Sequence, residues 1–339
     1  VSAHAEKAEG NKSFLERLSL EKYGVYYAFV FLLILASIVG WPYFHKPGNL
    51  VNVMRQASYT GIIALGMTFV IISGGIDLSV GSAAVFVGSM GIILLNQLVP
   101  SMGDTGSLLL VIFIAMLVMG IICGLVNGLI ISYGRIVPFI VTLGTMSIYR
   151  YLAIYIGDAG EFAARSNRIN QLGMYSFFSF EIFGSRVSLP LPVFALFVLA
   201  IILSFVLNST RYGRYLCAIG SNAKVAEYSA IKVQRVRFYA YGVIGAMIAI
   251  SAFLLAGRFG TVSTSNFGLG FEMDAIAAVI IGGTAMAGGR GTIWGTVVGC
   301  FMLQIIQNML NMAGMSPYLQ GVFKGLIIII SVFIQKQKQ

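Results

Sequence analysis

Ten apolar runs separated by short polar or basic segments dominate the chain from Val25 to Gln335. They leave lipid as the only solvent that most of the chain can face. A helix needs about twenty apolar residues to cross a bilayer. The runs 25–41, 57–73, 76–98, 107–131, 138–156, 190–207, 238–257, 275–289, 293–311 and 319–335 reach or approach that length. The weakest are 57–73 and 275–289, each of which ends at a Gly-Gly pair. Of the 339 residues, 58% are hydrophobic and 10% charged, too apolar for the core of a soluble domain to absorb. The expected fold class is an all-α polytopic membrane protein with about ten transmembrane helices, interrupted near Gly74-Gly75 and Gly282-Gly283. A membrane domain over 25–335 would lie between a polar N-terminal segment, 1–24, and a short tail, 336–339. A cleaved signal peptide is not expected, because the run Val25–Trp41 is too long for a signal core and no A-x-A site follows it.

The net charge of +10 does not indicate nucleic acid, because the basic residues form no continuous patch. They punctuate the apolar runs, as residues that set topology and meet anionic lipid do. With a cytoplasmic N-terminus, alternation puts Lys7, Lys12, Arg17, Lys22, Arg135, Arg211, Arg214, Lys224, Lys232, Arg235, Arg237, Arg290, Lys336 and Lys338 inside. Outside it puts only Lys46, Arg55, Arg165, Arg168, Arg186 and Arg258, while Arg150 and Lys324 fall within spans. Both termini are therefore expected in the cytoplasm. Cys123, Cys217 and Cys300 are scattered in or beside apolar runs, and His4 and His45 have no partners at ligand spacing, so no metal site is expected.

The stretch "VIISGGIDLSVGS", Val70–Ser82, places Asp77 among apolar residues just after Gly74-Gly75. A carboxylate at mid-membrane costs about 2.5–3.5 kcal/mol on insertion scales. Two roles fit it. The glycines can end one helix while Asp77 caps the next by accepting the free amides near Val80, or the carboxylate can meet a solute or proton directly. A second stretch, "AVIIGGTAMAGGRGTIWGT" (Ala278–Thr296), repeats the V-I-I-glycine pattern. Glycine-broken segments in corresponding positions point to a transport site between repeats, although the span count orients both segments alike. Polar residues gather at or within the spans: Ser79, Ser82, Asn127, Thr142, Thr145, Asn266, Glu272 and Asp274. Together they suit a neutral hydroxylated solute; singly, each also suits interhelical hydrogen bonding. Asp77, Ser79, Ser82, Asn127, Glu272 and Asp274 are the candidate pathway residues.

Two loops are long enough to carry structure. The outer one, 157–189, is polar and aromatic, and can form a gate, a docking surface or a cover. The inner one, 208–237, is basic and contains "SNAKVAEYSA", a short helix that Ser221 or Asn222 can cap and whose dipole Glu227 favours. A charged helix between two spans suits a soluble partner; a lipid-facing basic loop is the alternative. No G-x-x-x-x-G-K-[ST] loop, G-x-S-x-G elbow or H-E-x-x-H occurs. The chain is therefore not expected to be an enzyme or to hold a cofactor. Its energy would come from an ion gradient or from a partner ATPase.

Four blocks, "GMTFVIISGGIDLSVGS", "NGLIISYGRIVPFIVTLGTM", "TRYGRYLCAIGSNAKVAEYSAIKV" and "FEMDAIAAVIIGGTAMAGGRGTIWGTVVG", resemble the ribose/galactose-type permeases of bacterial ABC importers, from about Asn49 to Lys336. The resemblance implies a subunit of the inner membrane with a fold similar to the ten-helix, vitamin B12-type (type II) importers. It implies a second permease subunit, usually an identical one, a cytoplasmic subunit that binds ATP and magnesium, and a periplasmic or lipid-anchored sugar-binding protein. It places Gly220, Ser221, Asn222, Ala226, Glu227 and Ala230 in a coupling helix that seats in the ATPase. It sets the blocks around Asp77 and Asp274 near the dimer axis. Family members commonly read Gly-Gly-Asn, then Ser-Gly-Ile; this chain reads Gly220-Ser221-Asn222 and Ser229-Ala230-Ile231. An ion-coupled transporter using Asp77 and Asp274, and a permease of the related nucleoside-import type, are the alternatives.

Overall fold

The computed structural model describes residues 20–182 and 185–336. The N-terminal segment 1–24 and the tail 336–339 therefore lie mostly outside the described residues. The chain is helical almost throughout: α1 (Leu20–Val39), α2 (Pro47–Ile72), α3 (Val80–Met102), α4 (Gly106–Ser132), α5 (Pro138–Ile156), α6 (Asn167–Met174), α7 (Leu191–Ser209), α8 (Arg211–Ser221), α9 (Ala223–Tyr228), α10 (Val233–Phe259), α11 (Phe271–Ile281), α12 (Ile293–Met312) and α13 (Pro317–Lys336). Local chemistry starts them. Proline occupies the first turn of α2, α5 and α7, where a missing N–H costs nothing. The Thr105, Thr210 and Thr292 hydroxyls accept first-turn amides of α4, α8 and α12.

Among the described residues, α2, α3, α4, α5, α7, α10 and α12 are the seven helices long and apolar enough to cross a bilayer. The protein is thus a multi-pass membrane protein. Its centre is α2, buried at every residue from Ala57 to Ile72 except Thr60. On α4, by contrast, Leu110, Ile114, Val118, Ile122, Val126 and Leu129 are exposed at helical spacing. A face this apolar and unpartnered belongs to lipid. The other face of α4 lies against α10 along Gly120, Gly124 and Gly128, where an added methyl would overlap the Gly245, Tyr241 and Phe238 carbonyls. Small residues let the two backbones approach, which is how helices gain packing energy in lipid.

Two expected spans are corrected. The run 57–73 is part of a 26-residue helix that starts at Pro47. Its first turns carry Asn49, Asn52, Arg55 and Gln56, which a hydropathy window reads as a loop. Arg55 is consequently helical, not a loop residue. The run 275–289 is not a span. Its helix, α11, has 11 residues, about 16 Å at the α-helical rise, which is half of a bilayer core. Residues 282–292 fold back as non-helical chain before α12 begins. The runs 25–41 and 319–335 fall on α1 and α13, which are helical but are not among the seven.

The outer loop 157–189 is not helical throughout. It holds β1 (Glu161–Ala163), α6, β2 (Ser176–Ile182) and most of β3 (Ser185–Pro190). Antiparallel β2 and β3 form a hairpin, and β1 pairs antiparallel with β4 (Thr261–Ser263), pairing Glu161 with Ser263. The loop is tied to the bundle at named points. Asn96 donates to the Ala163 carbonyl (2.8 Å) and accepts from the Arg165 amide (2.8 Å). The Asp104 carboxylate accepts the Ser166 hydroxyl (2.5 Å) and the Asn167 and Arg168 amides at the start of α6.

Candidate functional site

Both glycine interruptions fold the same way, and in the register that the sequence suggested. After α2, Gly74 takes φ 80° and the Gly75 amide donates to the Val70 carbonyl at 3.0 Å. After α11, Gly283 takes φ 89° and the Thr284 amide donates to the Val279 carbonyl at 3.1 Å. Each is a glycine C-terminal cap with the six-residue hydrogen bond of a Schellman turn. Only glycine adopts that φ without strain.

The two ends meet. The Gly289 amide donates to the Ile72 carbonyl at 2.9 Å, joining the chain after α11 to the last residue of α2. Gly220, near the end of α8, fits between them so closely that an added methyl would overlap both the Ile72 carbonyl and the Gly289 nitrogen. Gly282 of the α11 end and Gly295 of α12 are also in backbone contact. The buried Thr68 and Thr296 hydroxyls bond across α2 and α12 at 2.7 Å. One rigid knot therefore links α8 to both interrupted segments.

α8 and α9 form the inner loop's structure. Asn222 caps α9, its side-chain oxygen accepting the Lys224 and Val225 amides at 3.1 Å each. Ser221 ends α8 instead, its hydroxyl donating to the Cys217 carbonyl. On α9, Ala226 is buried, Glu227 is exposed, and the apolar Val225 and Tyr228 stand 57% and 88% exposed. Ala230 closes the unit at φ 59°.

Asp77 does not cap α3 in the expected manner. Its Oδ1 accepts the Ser79 amide (2.8 Å) and hydroxyl (2.6 Å), and Ser79 is itself the N-cap residue. Asn127 of α4 donates to Ser79 Oγ at 2.9 Å and to Asp77 Oδ2 at 3.4 Å. Asp77, Ser79 and Asn127 are all buried, as is Ser82 in the first turn of α3. The unwound carbonyls beside them are served by side chains: Tyr241 donates to Ile76 (3.2 Å) and Arg237 to Ser73 (3.3 Å). Broken backbone persists at membrane depth only when such partners satisfy it. Thr145 bonds carbonyls of its own helix, while the Thr142 hydroxyl lies between the Pro138 carbonyl of its own helix (2.9 Å) and the unwound Ile76 carbonyl (3.5 Å).

Glu272 and Asp274 lie in the first turn of α11, Glu272 with its carboxylate against Gly81 in the first turn of α3. Asp274 is ion-paired with Lys324 of α13 at 2.6 Å. A cavity of about 530 Å³ opens beside this turn, between α2, the end of α10, residues 261–271 and α12. Its polar lining includes Gln56, Thr60, Asn266, Gln304 and Gln307 together with the charged Asp274 and Arg258. Of the six candidate pathway residues, Asp274 alone lines it. Beyond Asp274 the space shrinks to about 10 Å³ among Ala278, Cys300 and Leu303, room for about one water. The three glutamines were not anticipated. Their signal was polar residues at helical spacing, Gln304/Gln307 within an apolar run and Gln56/Thr60 across the start of one.

Residues 49–332 match the family described as the permease component of the branched-chain amino acid transport system. The chain belongs to this permease family. The permease is 36% identical to the ribose import permease protein RbsC of Bacillus subtilis over 94% of each chain. It is 32% identical to RbsC of Escherichia coli K12 over 91% of this chain and 92% of that one. It is 36% identical to the galactose/methyl galactoside import permease protein MglC of Haemophilus influenzae over 97% of each. No solved structure matches the permease.

Proposed function

We propose that the chain is the transmembrane subunit of an ATP-driven, binding-protein-dependent importer that passes a monosaccharide of the ribose or galactose class by alternating access. The observation that carries this reading is similarity over nearly the whole chain to ribose and galactose import permeases. The fold we propose is that of the ten-helix vitamin B12-type importers, with α1, α13 and the half-length α11 added to the seven spanning helices. Two copies pair in the bacterial inner membrane. The excess of Lys and Arg supports a cytoplasmic position for the N-terminus and for the α8–α9 end.

A separate ATPase subunit binds ATP and magnesium and seats α9 in a groove. The exposed Val225 and Tyr228 supply apolar contact. Gly220, Ser221, Asn222, Ala226, Glu227 and Ala230 position the coupling unit. A push on α9 passes through Gly220 to Ile72 and Gly289, and so to both interrupted segments. The Asp77, Ser79 and Asn127 cluster keeps the first interruption folded, with Ser82 packed behind it. Glu272 and Asp274 mark the pathway at the second. A binding protein docks at the strand end and releases the sugar there.

The test is reconstitution in vesicles with the partner ATPase and a sugar-loaded binding protein. Uptake of radiolabelled ribose or galactose should require ATP and all three components. Concentrative uptake by the permease alone, driven by an ion gradient, would replace this reading with a secondary transporter. Uptake competed by nucleosides and not by sugars would move it to nucleoside import.

A further inference from the structure

The cavity beside α11 has a largely apolar wall that carries a cluster of amides. We propose that Gln56, Gln304 and Gln307, with Thr60 and Asn266, are the surface that a neutral polyhydroxylated solute crosses, each amide replacing part of its hydration in transit. The inference rests on the proposed function and names the residues that make the passage selective.

Three observations support it. First, these five groups are uncharged, and an amide both donates and accepts, as a sugar hydroxyl does. The Gln304 side chain donates to Gln56 Oε1 at 3.1 Å, which leaves the Gln56 NH₂ group and the Gln304 oxygen for a solute. Second, the carboxylate in the lining is already paired, and the lining's cation is held to the wall by neutral groups. Asp274 holds Lys324, while Arg258 donates to Asn52 at 3.4 Å and lies over the Tyr59 and Phe259 rings. Arg258 has no acidic partner among the described residues and offers an anion a single cation, whereas the amides serve a neutral solute at several points. Third, these amides differ from a structural pair on the same two helices. Asn49 and Asn308 bond each other reciprocally at 3.1 and 2.8 Å. The Gln307 and Asn266 side chains line open space instead, without a hydrogen bond to the described residues. A volume of about 530 Å³ lies within the usual range for small-molecule sites, and it ends at the constriction beyond Asp274. The space is thus roomy and amide-bearing on one side, and closed on the other.

The experiment replaces each glutamine with methionine, which keeps its length and removes its hydrogen bonds. Gln56→Met, Gln304→Met, Gln307→Met and the triple variant are assayed in vesicles with the ATPase and loaded binding protein. Expected is a fall in radiolabelled ribose or galactose uptake of about tenfold for each hydrogen bond lost to the passing sugar. Stimulation of ATP hydrolysis by the loaded binding protein should not change. Gln304→Asn, which keeps an amide, should recover part of the rate. Wild-type uptake in the triple variant overturns the proposal. So does a parallel loss of uptake and ATPase stimulation, which assigns the amides to packing. Failure of the unaltered permease to take up sugar in the complete system instead refutes the functional reading, and is seen before any variant is compared.

Discussion

Replacing Gly220 with alanine tests whether the coupling end and the two interrupted segments form one mechanical unit. The new methyl would stand in the space now held by the Ile72 carbonyl and the Gly289 nitrogen. Both are backbone atoms and neither belongs to a flexible side chain, so neither can rotate away. Overpacking a fixed site costs about 1–3 kcal/mol, and three backbones meet here, so the upper end applies. Separating α8 from the knot also weakens the Gly289–Ile72 hydrogen bond, worth about 1 kcal/mol. The sum is roughly 3–4 kcal/mol, enough to shift the melting temperature of the detergent-solubilised permease by several degrees. Gly144 of α5 is the matched control, since a methyl there meets nothing within 4 Å. Gly144→Ala should be neutral or slightly stabilising, because alanine favours helix by about 1 kcal/mol. In the reconstituted importer, folded Gly220→Ala should hydrolyse ATP with diminished uptake per ATP. Equal melting temperatures and equal uptake per ATP for the two variants would refute the idea that Gly220 is a rigid joint.

Further outcomes are expected elsewhere. Asp77→Leu strands the Ser79 amide and the Ser79 hydroxyl in a buried site, at about 1–3 kcal/mol for each unsatisfied group, while Asn127 keeps its bond to Ser79 Oγ; Asp77→Asn keeps an acceptor, so it should melt measurably higher than the leucine variant and retain ATP-driven uptake. Thr68→Val removes the 2.7 Å bond to Thr296, while the Thr296 hydroxyl keeps its own-helix acceptor, the Thr292 carbonyl at 3.3 Å; a loss near 1 kcal/mol is expected, with the interaction isolated by a Thr68→Val/Thr296→Val double-mutant cycle. The Ser166 hydroxyl, the Arg168 and Asn167 amides and the Arg168 charge hold the Asp104 carboxyl below its usual range. A depressed value means that the stabilisation is present above the ordinary carboxylate pKa and is lost as pH falls through the lowered one. Amide hydrogen exchange at the start of α6 should accelerate only on that acidic side, and in Asp104→Asn the acid dependence should disappear.

Much of this architecture was legible in the residues. The apolar runs established a multi-pass helical protein because lipid selects for long apolar faces, and the exposed stripe on α4 is such a face. The V-I-I-glycine repeats marked two helix ends correctly, since a glycine C-terminal cap is local chemistry. Asn222 was readable as a cap for the same reason. Hydropathy failed where polar residues turn away from lipid. Asn49, Asn52 and Gln56 belong to α2 because they face other parts of the protein, and a one-dimensional window cannot see what a side chain faces. It also failed at α11, where apolar residues flank a helix that stops after 11 residues and the chain then folds back.

Sequence alone determined what is local or solvent-driven: membrane residence, the glycine-capped helix ends, the cap of α9 and the family blocks. Tertiary structure decided what depends on residues distant in the chain meeting. Gly220, Ile72 and Gly289 converge only after three segments fold, and Asp77 finds Asn127 across 50 residues of chain. Gln56 and Gln304 come to share one cavity across 248. Backbone contact and hydrogen-bond partnership are properties of position in space, and spacing along the chain encodes them only where a single helix turn carries both partners.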